Sequence, residues 1–226
     1  MAFTGFPPEA FEFYAQLEAD NSKAFWQANN TTFESAVKAP MVALCDELSE
    51  HGPFHLFRPY NDLRFAKNRP PYKTAQGATS ESQGGTGRYV QVSAQGVMAA
   101  AGCYMMARDQ LQRFRAAVDA EGTGAEVAAL VDSLAAAGYS IGAHDELKTA
   151  PRGYAKDHPR IALLRRSGLM VWSTWPVASW MYTKKAAATV RTTWDEPAGC
   201  APGSTPTLAR ARCRPITGTE PPHWSP

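Results

Sequence analysis

The sequence of 226 residues predicts an α+β fold, an antiparallel or mixed sheet with N-terminal and middle helices packed on it, and three observations carry this expectation. Apolar residues recur at spacings of three and four through the first fifty positions and again between 109 and 138, the period of helices with one buried face. Alternating or short apolar runs near 54–66, 88–105, 139–149 and 169–175 read as strands. The two halves of 88–105 are joined only by Ala94-Gln95-Gly96, a turn short enough for antiparallel partners and too short for a parallel crossover.

Taken in order, Pro7 and Pro8 open a helix with Phe11, Tyr14, Ala15 and Leu17 on its apolar face, because proline suits a first turn whose N–H groups lack intrahelical partners. Asn21 or Ser22 caps the next helix, which carries Phe25, Trp26 and Ala28 and continues through Phe33, Val37, Met41, Leu44, Cys45 and Leu48. Pro40 falls inside that pattern and should kink or divide it, and Gly52-Pro53 ends it. Strands are expected at 54–58 and 61–66, with 74–78 leading out of the intervening turn and a flexible tip at 80–87. Leu111, Phe114, Arg115 and Val118 fit a helix beginning near Asp109, and Val127, Leu130, Val131 and Leu134 fit another between Thr123 and Gly138. Tyr139–Ile141 and Leu169–Trp175 are strand candidates, Ile161, Leu163 and Leu164 belong to a helix between them, and Lys184–Trp194 is a terminal helix.

One domain over 1–194 is expected, since a chain of this length supports one core of ordinary size. Residues 195–226 hold seven prolines and no helix or strand period, so this stretch reads as disordered, or as the product of a frame shift near Asp195. With 44% hydrophobic and 19% charged residues and no long apolar run, no membrane span is expected. The first residues lack a basic segment and carry acids, which argues against a signal peptide and for the cytoplasm. Net charge is +2, short of the balance of a dedicated nucleic-acid binder, so any basic function must be local. Cys45, Cys103, Cys200 and Cys213 show no Cys-x-x-Cys spacing and fit reduced thiols. His51, His55, His144 and His158 show no ligand spacing either, so neither metal nor cofactor is expected.

Two segments hold the residues that could do chemistry. Phe57–Ala78 places Arg58, Arg64, Lys67, Arg69 and Lys73 against the single acid Asp62, interleaved with Tyr60, Phe65 and Tyr72, and Asn68-Arg69-Pro70-Pro71 forces a turn between its halves. Leu147–Arg166 gathers Lys148, Arg152, Tyr154 and His158 in an irregular stretch before a helix. Arginine offers a planar fork and lysine a mobile point charge to phosphate or carboxylate, and the tyrosines can donate to an oxyanion. His158 is the best candidate for proton transfer; a cap or a carbonyl bond would explain it equally. Asp62 and Asp157 are the candidate carboxylate partners.

These segments, together with RYVQVSAQGVMAAAGCY between them, resemble the bacterial domain-of-unknown-function 2461 family over about residues 3–194. Its Arg-Phe-x-Lys-x-x-x-Pro-Tyr-Lys-Thr signature falls on Arg64, Phe65, Lys67, Pro71, Tyr72, Lys73 and Thr74. Its Pro-Arg-Gly-Tyr-x-x-x-His-Pro-Arg signature falls on Pro151, Arg152, Gly153, Tyr154, His158, Pro159 and Arg160. The resemblance implies a fold and a site location without supplying a reaction. Where relatives show Asp-Lys and a later His, this chain has Asn68-Arg69 and Ala75, which removes an acid and an imidazole from the first loop.

Three readings follow. The first is a site for a small anionic ligand built from Arg64, Lys67, Arg69, Tyr72, Lys73, Lys148, Arg152, Tyr154 and His158, with the question of catalysis open. The second is a nucleic-acid-binding module using the same cations and the exposed aromatics, and the third is an interaction domain whose basic residues only hold loops together. If the first reading holds, the two signatures should meet in space, with Arg64 and Arg152 around one ligand.

Overall fold

The computed structural model describes residues 2–62, 69–81 and 87–199. Within them a six-stranded sheet runs in the order β1-β2-β3-β4-β6-β5, formed by β1 (Phe54–Leu56), β2 (Ala75–Glu81), β3 (Gly87–Ser93), β4 (Gly96–Cys103), β5 (Ser140–Gly142) and β6 (Leu169–Trp175). Every pairing is antiparallel, so the fold is α+β as the sequence predicts. Register puts Val90 opposite both Ala78 and Ala99, and Val92 opposite Val97, which gathers these side chains on one face.

That face is covered by α1 (Pro8–Ala19), α2 (Lys23–Thr32), α3 (Ala39–Glu47) and α7 (Lys185–Gly199). Their apolar stripes, including Phe13, Leu17, Trp26, Met41, Leu44, Val190 and Trp194, form one core with Ala78, Val90, Val92, Val97 and Ala99. Phe57, Tyr89, Met98, Ala100 and Met170 form a smaller cluster, Tyr89, Met98, Ala100 and Met170 coming from alternate strand positions that face the opposite side. A third cluster lies beside the sheet, where α4 (Arg108–Asp119), α5 (Glu121–Ala136) and α6 (Ile161–Leu164) bring Phe114, Val118, Leu163 and Leu164 against Cys103 and Met106. No helix of the described residues is long and apolar enough to cross a membrane.

Local chemistry explains most boundaries. Ser22 caps α2, its hydroxyl accepting from the Phe25 N–H at 3.1 Å, which leaves Asn21 for another task. The long helix expected to Leu48 is divided by a π-helical turn over Phe33–Lys38, just ahead of Pro40. Proline has no N–H and crowds the carbonyl four residues back, so the ladder widens there and the Ala39 N–H reaches Glu34 O. Gly138, at φ +90°, ends the α5 region as expected, its N–H bonding Ala135 O.

Three expectations need correction. β2 extends through the segment assigned to the way out of a turn and the start of a tip; its core-facing positions are Gln76, Ala78 and Ser80, so no apolar alternation marks it. Helix α7 continues five residues beyond Trp194, carrying Asp195 and Glu196 with it. Cys45 is a free thiol that burial, with Asp46 nearby, pushes up to about 12, whereas Cys103 is disulfide-bonded rather than reduced.

Candidate functional site

The second signature is wired to α4. Pro151 is buried, the Tyr154 N–H bonds Pro151 O at 3.2 Å, and Gly153 between them sits at φ +93°, a conformation that favours glycine. The Tyr154 ring packs against the cluster under α4. His158 accepts the Arg160 N–H at Nδ1 (3.0 Å), so its ring proton is on Nε2, which faces Asp119 Oδ1 at 3.2 Å. The acid that meets His158 is therefore Asp119 of α4, not Asp157. Arg160 extends the clamp: its Nε donates to Val118 O at 2.6 Å and its Nη2 to Asp119 O at 2.9 Å. These are carbonyls at the C-terminus of α4, where helical partners run out and the helix dipole favours a cation. A side chain at Gly124 would collide with Val118 O and the Arg160 guanidinium, so glycine keeps the path open.

The clamp fixes the loop across one face of α4. Arg108, Gln112 and Arg115, spaced by four and three, share that face, and with Arg152 and Tyr154 from the loop they line an open cleft of about 580 Å³. Arg115 Nε donates to Leu164 O at 2.9 Å, which aims the rest of its guanidinium. Burial lowers its pKa, while the nearby Tyr154 phenol acts in the opposite direction; the guanidinium stays charged at any physiological pH. The two acids of α4 are engaged outside the cleft lining, Asp109 with Arg113 at 3.0 Å and Asp119 with His158. Among the described residues no carboxylate pairs with Arg108, Arg115 or Arg152.

The first signature is organised differently. The Lys73 N–H bonds Pro59 O at 2.8 Å, the Asn61 N–H bonds Pro71 O at 2.9 Å, and Tyr60 bridges to Tyr72 between them. Asn21 finds its task here, donating to Tyr72 O and accepting from the Tyr72 N–H, both at 3.0 Å, as a neighbouring strand would. The Tyr72 ring stacks on Trp26 with centroids 4.3 Å apart and planes 6° from parallel, and burial, then the Tyr60 phenol, raises its pKa. Lys73 is buried, its ammonium 5.4 Å from the centroid of the Phe57 ring. Arg69 is half-buried and Arg58 exposed.

Of the residues singled out from sequence, the cleft brings together Arg152 and Tyr154. His158 anchors the loop without lining the cleft, and Lys148 is exposed outside its lining. Arg64 and Lys67 lie outside the described residues, so the meeting of Arg64 with Arg152 does too. Sequence reasoning missed Arg108, Gln112 and Arg115; the signal was a polar stripe at four and three on a helix whose opposite face is apolar, a pattern that ordinarily marks solvated surface.

Comparison with curated proteins and with solved structures finds no match. The family model described as Conserved hypothetical protein (DUF2461) matches residues 9–199, a span that includes both signatures, α4 and the clamp between them, and the chain belongs to that family.

Proposed function

We propose that this protein binds a small anionic ligand, a phosphate or a carboxylate, in the cleft between α4 and the loop that precedes α6. The observation that carries this reading is the gathering of Arg108, Arg115 and Arg152 around one cleft while both acids of α4, Asp109 and Asp119, are engaged elsewhere. Guanidinium groups that share a surface without counter-charge repel one another, and an anion that accepts from all of them relieves that repulsion while forming charge-assisted hydrogen bonds. Gln112 and Tyr154 add neutral donors at the rim, and the Arg160 and His158 clamp supports the loop that carries Arg152.

Thermal unfolding of the full chain in rising phosphate, and separately in succinate at matched ionic strength, tests the reading. A ligand of the native state raises the melting temperature with the logarithm of its concentration once above Kd. At least one of the two anions should do so, and Arg152→Ala should abolish the rise without lowering the ligand-free melting temperature, since an exposed cation is removed and its repulsion with Arg108 and Arg115 goes with it. A response confined to a generic oligonucleotide, with affinity falling steeply in salt, would favour a nucleic-acid surface instead. Equal responses in the wild type and the variant would remove the cleft from consideration.

A further inference from the structure

Resting on the anion-site reading, the geometry points to a more specific ligand: a tetrahedral dianion, the phosphate group of a small molecule or phosphate itself, in preference to a monocarboxylate or other monoanion. Charge is the first reason. Arg108, Arg115 and Arg152 bring three positive charges to one cleft, and none has a carboxylate partner among the described residues. A monoanion leaves two of those charges uncompensated, whereas a dianion leaves one, and the difference grows where the cleft walls lower the local dielectric constant.

Acceptor geometry is the second reason. Arg115 has its Nε committed to Leu164 O, so it presents its terminal nitrogens, and Arg108 and Arg152 have their whole forks available. A planar carboxylate offers two oxygens in one plane, and a bidentate arginine takes one lone pair on each, leaving only in-plane sites for the other guanidinium groups. A phosphate group offers three strongly accepting oxygens diverging from one atom, one for each guanidinium arriving from α4 and from the loop. The arginines also come from different directions: Arg108 and Arg115 stand seven residues apart on one helix face and Arg152 lies on a separate segment, an arrangement suited to a tetrahedral acceptor and poorly suited to a flat one.

The experiment is isothermal titration of the full chain with phenyl phosphate, phenyl sulfate, benzoate and inorganic phosphate at constant ionic strength. Phenyl phosphate and phenyl sulfate share a shape and differ in charge, because the second phosphate ionisation lies near pH 6. At about pH 7.5 phenyl phosphate should bind on the order of tenfold or more tightly than phenyl sulfate or benzoate, and at about pH 5 its advantage over phenyl sulfate should shrink severalfold as the dianion is protonated. Phenyl sulfate keeps one charge at both pH values and controls for titration of the protein. Arg152→Ala, an exposed position whose change leaves the core untouched, should reduce the preference for phosphate as well as the affinity. Inorganic phosphate binding as tightly as phenyl phosphate identifies free phosphate as a sufficient ligand, and a clear advantage for phenyl phosphate identifies a monoester; either supports the dianion. Phenyl sulfate or benzoate binding as tightly as phenyl phosphate at the higher pH would overturn the dianion inference and leave the anion site standing. No binding by any of the four would overturn both.

Discussion

Single side chains here do structural tasks that their types do not announce. Arg160 holds the last carbonyls of α4 through two of its nitrogens, and hydrogen bonds from a charged donor are worth about 1.5–3 kcal/mol each when made well. Arg160→Ala should therefore destabilise the chain by about 3 kcal/mol in chemical unfolding, and Arg160→Lys should restore only part of that, because an ammonium lacks the planar fork. Asn21 replaces a strand partner for the Tyr72 backbone, and Asn21→Ala should cost about 1–3 kcal/mol by leaving a backbone donor unpaired, whereas Asn21→Asp, which keeps the acceptor, should cost less. Neither role was legible beforehand. Arg160 and Asn21 bond across 42 and 51 residues of sequence, and spacing within one segment carries no record of a partner that distant. What was legible was position: Ser22 at a helix start and Gly138 at a helix end follow from rules that operate within a few residues.

Secondary-structure elements were readable where a periodic apolar face exists. The helices that cover the sheet, and strands β3, β4 and β6, all show it. β2 does not, because it brings Gln76 and Ser80 toward the core and satisfies them locally, Gln76 Nε2 donating to Phe57 O at 2.9 Å and the Ser80 hydroxyl to His51 O at 3.0 Å. Helix α7 was foreseen but ended too early, since Asp195 and Glu196 look like the start of a polar tail, yet Glu196 accepts from the Tyr139 hydroxyl and Asp195 approaches His51. Trp194 anchors this helix, stacking near Phe54 and donating to Tyr89 O at 3.2 Å, so Trp194→Ala should cost about 3–5 kcal/mol. His51, edge-on to Trp194 with ring centroids 5.3 Å apart, makes stability depend on pH. Burial, then the charge of Arg88, depresses the pKa of His51, with Asp195 and Glu50 opposing and Arg191 adding to the depression. The native state thus holds His51 neutral, and the unfolded chain binds the proton more readily. Its contribution is present above the unfolded value near 6.5 and is lost as pH falls through the depressed native value. Unfolding midpoints followed downward from neutral pH should fall, and His51→Gln should flatten that slope.

For the molecule as a whole, the sheet and its helical cover were predictable from pattern, and two of the five cleft residues, Arg152 and Tyr154, were predictable from motif. The other three required the tertiary fold, because only the packing of the loop from Pro151 to Arg160 against α4 turns a polar helix stripe into one wall of a cleft. The central claim is that Arg108, Arg115 and Arg152 act together on one anion. Side-chain NMR of the full chain labelled with ¹⁵N-arginine, titrated with phosphate, tests it most directly, with signals assigned by single Arg→Lys variants. The account predicts that the Arg108, Arg115 and Arg152 guanidinium resonances move along saturable curves sharing one Kd, while Arg113, paired with Asp109, and Arg191, paired with Glu50, stay in place. Shifts that are linear in phosphate, or that appear equally at Arg113 and Arg191, would contradict it.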